Sequence, residues 1–146
     1  MEKFNLLFNS PSDWTMFGDR ISQVRAQEMF PMLVARTKER KPMSYGELAA
    51  HFDLAWAMPI MRAVICTTGT LYRLERNQLP QAQFAWNHGK IPRIANMVTK
   101  SNDAPAGFVA EQLPHQNPAI DFDTLLKKIW DYDKWDEVQK ALGLSG

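Results

Sequence analysis

The chain has 146 residues, of which 45% are hydrophobic and 23% charged, and 17 basic side chains nearly balance 16 acidic ones. These are ordinary globular values, and the length predicts one domain, residues 1–146, with a buried core. No apolar run reaches the roughly 18 residues of a membrane span, and Met1-Glu2-Lys3-Phe4-Asn5 lacks the layout of a signal peptide, so no membrane partner and a cytoplasmic location are expected.

Residues 1–41 read as an arm followed by a helix. Phe4, Leu6, Leu7 and Phe8 suit an edge strand or docking arm, and Ser12 or Asp13 is placed to cap the helix behind it. Phe17, Ile21, Val24, Met29, Met32, Leu33 and Val34 recur with a helical period, which predicts a helix from Trp14 to Arg40 that Pro31 kinks or divides. The run Arg36-Thr37-Lys38-Glu39-Arg40-Lys41 puts positive charge at its end. There it complements the helix dipole, and it equally suits a phosphate.

In residues 42–110, Tyr45-Gly46 ends an extended segment, Glu47 to Phe52 form a short helix with Leu48, Ala49 and Phe52 inward, and Asp53 is a polar stop. The apolar stretch from Leu54 to Leu79 holds Trp56, Met58, Ile60, Met61, Val64, Ile65, Leu71, Tyr72 and Leu74. It predicts a helix starting near Pro59, since proline is well tolerated in a first turn. Thr67-Thr68-Gly69-Thr70 is a weak helical segment, where a bend or a close packing contact is expected. The single cysteine, Cys66, excludes an internal disulfide and reads as a buried structural thiol. Gln81 to Lys90 carries Phe84, Trp86 and His88, aromatics that either stack on an exposed base or anchor a loop on the core. Ile91 to Thr99 reads as a strand, Lys100-Ser101-Asn102-Asp103 as a turn and Ala106 to Ala110 as the returning strand of a hairpin.

Residues 111–146 open with a loop around Pro114 and Pro118. Phe122, Leu125, Leu126, Ile129 and Trp130 then form one helical stripe, and Trp135, Val138 and Leu142 begin a second. This pair reads as a helical cover packed on the hairpin. Charge follows the same division: residues 1–101 carry 13 basic and 8 acidic side chains, whereas residues 102–146 carry 4 and 8. Such a split fits a basic face with an acidic segment elsewhere or masking it, and equally two solvated faces.

Three segments taken in order, Ser44-Tyr45-Gly46-Glu47-Leu48-Ala49, Met61-Arg62-Ala63-Val64-Ile65 and Ile91-Pro92-Arg93-Ile94 leading to Gly107, resemble the DNA-binding domain of alkylguanine-DNA alkyltransferases and alkyltransferase-like proteins. The resemblance spans Pro42 to Phe108 and implies a winged helix-turn-helix core in a mainly α fold with a small β-hairpin and extra N- and C-terminal helices. It also implies that Arg62 lies on the recognition helix and enters the base stack, and that Tyr45 contacts the nucleotide backbone. Two departures matter. The family's nucleophilic cysteine follows the proline, and Arg93 stands there instead, which excludes alkyl transfer by the family mechanism. The chain also carries the inserted segment Gln81 to Lys90 before Pro92.

The residues themselves add Ser44 as a phosphate donor or helix cap, and Lys90, Arg93, Asn96 and Lys100 on or beside the hairpin, where cations reach a groove or its phosphates. For Arg62 the competing reading is a surface arginine or an ion pair with Glu47. Catalysis finds little support. His51, His88 and His115 are far apart without metal-ligand spacing, His51 with Asp53 lacks a nucleophile, and no phosphate-cradling glycine loop occurs, so no catalytic residue, metal or cofactor is expected. The reading is a non-catalytic winged-helix protein that contacts duplex or distorted DNA. Its alternative is an adaptor, inhibitor or immunity-type module that binds a protein partner through Trp130, Tyr132 and Trp135, which are interleaved with acidic residues.

Overall fold

The computed structural model describes residues 6–11 and 14–144. Among them run α1 (Ile21–Glu39), β1 (Met43–Ser44), α2 (Tyr45–His51), α3 (Met58–Glu75), β2 (Val98–Thr99), α4 (Gly107–Gln112), α5 (Phe122–Asp131) and α6 (Trp135–Ala141), with 3-10 turns at Ile94–Met97 and Leu113–His115. The fold is mainly helical with a small two-stranded sheet. None of these helices is long and apolar enough to cross a membrane.

α1 packs most extensively on α3. Its buried stripe is Gln23, Ala26, Met29, Phe30, Leu33, Val34 and Thr37, so Ile21 and Val24, expected inside, face solvent. The helix begins at Ile21 rather than Trp14 because side chains take up the preceding backbone groups. Gln23 Nε2 donates to the Thr15 and Phe17 carbonyls at 3.1 Å, Gln27 Nε2 donates to that of Met16 at 2.6 Å, and the Met16 N–H donates to Thr70 Oγ1 at 2.8 Å. Of the two effects expected of Pro31, a kink or a division, the division does not occur: α1 runs unbroken through that residue. The one missing amide donor is outweighed by the buried neighbours Phe30, Leu33 and Val34. Phe4 and the expected caps Ser12 and Asp13 lie outside the described residues.

α2 begins at Tyr45, two residues before the expected Glu47, on a reciprocal cap: the Glu47 N–H donates to Ser44 Oγ at 3.0 Å, and the Ser44 N–H donates to Glu47 Oε1 at 3.2 Å. It closes at Phe52, and Asp53 turns the chain with φ 56°. α3 carries Pro59 in its first turn, as expected, and continues without a break through the threonine-rich middle. Thr67 Oγ1 and Thr70 Oγ1 donate back to the carbonyls of Ala63 and Cys66, at 2.9 and 2.7 Å. Gly69 is there for space: a Cβ would lie 1.9 Å from Ser10 Oγ and 2.2 Å from the Trp14 carbonyl oxygen.

The expected antiparallel hairpin is replaced by a parallel pairing of β1 with β2, Met43 opposite Val98 and Ser44 opposite Thr99. Residues 94–97 curl into a 3-10 turn, which leaves only Val98 and Thr99 extended. The turn after them does form, the Lys100 N–H donating to Ala104 O at 2.9 Å, but the return is a single bridge from Thr99 to Pro105 before the chain enters α4. Pro105 lacks the amide donor that a longer ladder needs.

α5 and α6 form where their stripes predicted, with the Asp121 carboxylate capping α5 through the Thr124 N–H at 2.7 Å. They cover α1, and α5 also packs on the 94–97 turn. Buried apolar residues from Leu7 to Leu142 form one contiguous core.

An alanine usually stabilises a helix by about 1 kcal/mol relative to glycine. Gly69→Ala is expected to do the opposite and destabilise by about 1–3 kcal/mol, because the new methyl overlaps backbone at Trp14. Urea unfolding measures this, and an unchanged or raised midpoint would mean that Ser10 and Trp14 do not rest on α3 at Gly69.

Candidate functional site

The residues expected to contact DNA fall into three environments. Ser44 is spent on the α2 cap. Tyr45 is half-buried against the core with its hydroxyl 3.6 Å from Met61 Sδ, and burial pushes the phenol well above its ordinary pKa. Arg93 and Asn96, expected on a wing, are buried instead: Arg93 in an ion pair with Glu75, Asn96 with Nδ2 donating to the Leu7 carbonyl at 3.0 Å. Lys100 is exposed on the turn after β2, and Arg62 and Lys90 line two separate grooves.

The first groove, of about 590 Å³, lies between the opening turns of α1 and α3 and the loop before α3, lined by Ile21, Ser22, Arg25, Trp56, Met58, Pro59 and Arg62. Its apolar side chains are open to solvent, Trp56 at 73%, Met58 at 76% and Ile21 at 63%, and Val24 is exposed one turn along α1. Arg62 does not pair with Glu47. That carboxylate accepts from Arg36, whose hydrogen bond holds it below the usual glutamate range. Arg25 and Arg62 make no ion pair among the described residues, and no carboxylate lines the groove. Sequence reasoning found Arg62 but placed Trp56 and Met58 with the interior. A signal existed: Met58 and Arg62 sit one turn apart, outside the Ile60, Ala63, Val64, Thr67, Leu71, Leu74 stripe that α3 buries.

The second groove, of about 480 Å³, brings three sequence-selected residues, Lys90, Arg93 and Asn96, together with the end of α3 and α5. At its base is Glu75, whose side chain, like that of Arg93, is only 6% exposed. Glu75 Oε1 accepts from Arg93 Nη1 at 2.6 Å and the Ile91 N–H at 2.9 Å, and Oε2 accepts from Arg76 Nη1 at 2.7 Å. Burial by itself raises the Glu75 pKa, but Arg93, the Ile91 amide and Arg76 together outweigh it and hold the carboxyl below its ordinary range. Arg93 also donates from Nε to the Phe8 carbonyl at 2.8 Å, and the Arg76 guanidinium lies 3.7 Å from the centroid of the Tyr72 ring.

The inserted segment is anchored by Trp86, which is buried. The Asn77 side chain binds both its N–H, at 2.5 Å, and its carbonyl, at 2.9 Å, while Phe84 and His88 stay at the surface. Among the aromatics of the tail, Trp135 is internal, and Trp130 and Tyr132 are half-buried beside Asp133 and Asp136. Trp135 is buried with Nε1 donating to Ile129 O at 3.0 Å, and Tyr132 packs edge-on against it at 4.8 Å. Trp130 is half-buried against the core. The histidines stay apart, His51 binding Glu28 at 2.8 Å, and Cys66 is a buried thiol whose pKa is raised by burial. Among the described residues no three His, Cys, Asp or Glu side chains cluster as metal ligands do.

Because its folded-state pKa is depressed, Glu75 contributes stability that is present above its unfolded value of about 4.5 and lost as pH falls through the lower folded value. Glu75→Gln is therefore expected to cost about 3 kcal/mol at pH 7, by leaving Arg93 buried and unpaired, and to flatten the acid-induced loss of stability. Urea titrations at pH 7 and below pH 4.5 check both, and parallel pH profiles for variant and wild type would contradict the role given to the pair. Compared with protein-family models, curated proteins and solved structures, the chain matches none.

Proposed function

We propose that the chain is a non-catalytic interaction module that docks a protein segment in the groove between the first turns of α1 and α3. The observation that carries this reading is where the apolar surface lies: Ile21, Val24, Trp56 and Met58 are four of the six exposed large hydrophobic side chains among the described residues. Contiguous apolar surface rimmed by polar groups marks interaction sites, and Trp, Met and Arg are the side chains enriched in them. Charge narrows the partner. Arg25 and Arg62 flank the groove without a carboxylate, so the complementary segment presents an apolar ridge beside acidic side chains. A second copy docked by two-fold symmetry would set these arginines against each other, which disfavours self-association through this face.

A second reading, DNA binding of the alkyltransferase-like kind, draws support from the same place. Two guanidiniums without an ion pair among the described residues, beside an exposed indole, are equipped for phosphates and a stacked base. It loses the support of Arg93 and Asn96, which are committed to internal contacts.

Anisotropy titrations with two probes separate these readings: an amphipathic peptide with a Leu/Trp ridge flanked by Asp and Glu, against its Lys-substituted counterpart, and a labelled DNA duplex at two salt concentrations. The acidic peptide is expected to bind. Trp56→Ala and Arg62→Glu are each expected to weaken it at least about tenfold, or about 1.4 kcal/mol, with the unfolding midpoint unchanged because both side chains are exposed. Salt-sensitive DNA binding that Arg62→Glu abolishes, without peptide binding, would replace the first reading by the second. Binding of neither probe would overturn the groove as a contact surface.

A further inference from the structure

We infer that the second groove, between the end of α3, the 90–96 segment and α5, is a binding site for a small planar aromatic anion. This rests on different residues from the protein-docking reading and stands or falls separately. The volume, about 480 Å³, is that of a small-molecule site, and it is lined by both apolar and charged side chains.

Electrostatics set the sign of the ligand. Arg76, Lys90, Arg93 and Lys128 line the groove against one carboxylate, Glu75, which is already committed to Arg93, Arg76 and the Ile91 amide. The cations in excess of that carboxylate attract an anion, and the low-dielectric wall built from the Ile129 side of α5 strengthens the attraction.

Shape and hydrogen bonding set the rest. The Arg76 guanidinium over the Tyr72 ring forms a flat cationic platform, which favours a planar ring in the ligand. Asn96 supplies an acceptor. It lines the groove, is 3% exposed and spends Nδ2 on the Leu7 carbonyl, yet its Oδ1 has no hydrogen-bond partner among the described residues. A buried acceptor without a donor is costly, and a ligand hydroxyl or N–H relieves that cost. The ligand class is thus a planar ring with a carboxylate or phosphate toward Lys90 and Lys128 and a donor toward Asn96.

The probe is 6-hydroxy-2-naphthoate, titrated into the ¹⁵N-labelled protein and followed by amide shifts, with its neutral methyl ester as control. The expected result is saturable binding with shifts at Tyr72, Ile91, Asn96 and Ile129, at least tenfold tighter than the ester. Binding is expected to weaken at least tenfold in the double variant Lys90→Glu/Lys128→Glu, whose two side chains are exposed and outside the core, and to be unaffected by Arg62→Glu. No saturable binding, equal binding of acid and ester, an unaffected double variant, or shifts centred on Ile21 to Arg25 would each overturn the assignment.

Discussion

Glu75 ends α3 as a carboxylate withdrawn from solvent, and a buried charge must be met by partners wherever the chain supplies them. Arg93 reaches it from the segment before β2, Ile91 gives an amide, and Arg76, the next residue, closes the other oxygen. Arg93 then extends to the Phe8 carbonyl, so one pair of charges holds the N-terminal arm, the last turn of α3 and the 91–97 segment together. Replacing such a pair by apolar residues of equal volume is often neutral in net stability. Its role is therefore read in the arrangement it imposes: the 91–96 stretch turns inward instead of projecting as a wing, and the second groove exists because these elements meet there.

Amide side chains do for the irregular segments what the ion pair does for the arm. Gln23 and Gln27 take the carbonyls of residues 15–18, Asn77 holds both polar groups of the Trp86 backbone, and Asn96 takes the Leu7 carbonyl. A loop laid over a core must satisfy its backbone without a ladder, and a carboxamide offers both a donor and an acceptor at one site. The sheet contributes little by comparison, being two residues long on each strand.

The uneven charge resolves into contacts and remainders. Asp131 and Asp136 of the acidic tail pair with Arg40 and Lys38 at the end of α1, at 2.8 and 3.1 Å, so the tail neutralises two cations of the basic run that the sequence offered for phosphates. These pairs are exposed and screened by salt, worth little each, and serve more to neutralise than to fasten. Among the cations that make no ion pair with the described residues, Arg25 and Arg62 lie at one groove and Lys90 and Lys128 at the other.

The sequence by itself determined the elements whose signals are local. Ser44 and Glu47 start α2, Pro59 opens α3, and the Phe122 and Trp135 stripes make α5 and α6, since caps, prolines and apolar periods act within a turn or two of the chain. Tertiary structure alone decided which charges are interior. Nothing near Arg93 in the chain announces Glu75, 18 residues away, and nothing near Val98 announces Met43, so a cation and a strand that read as a surface wing became core. It alone also decided which apolar residues stay wet. Hydropathy ranks Trp56 and Met58 with the interior, whereas exposure depends on what packs opposite them, and the opening turns of α1 and α3 leave that face uncovered among the described residues.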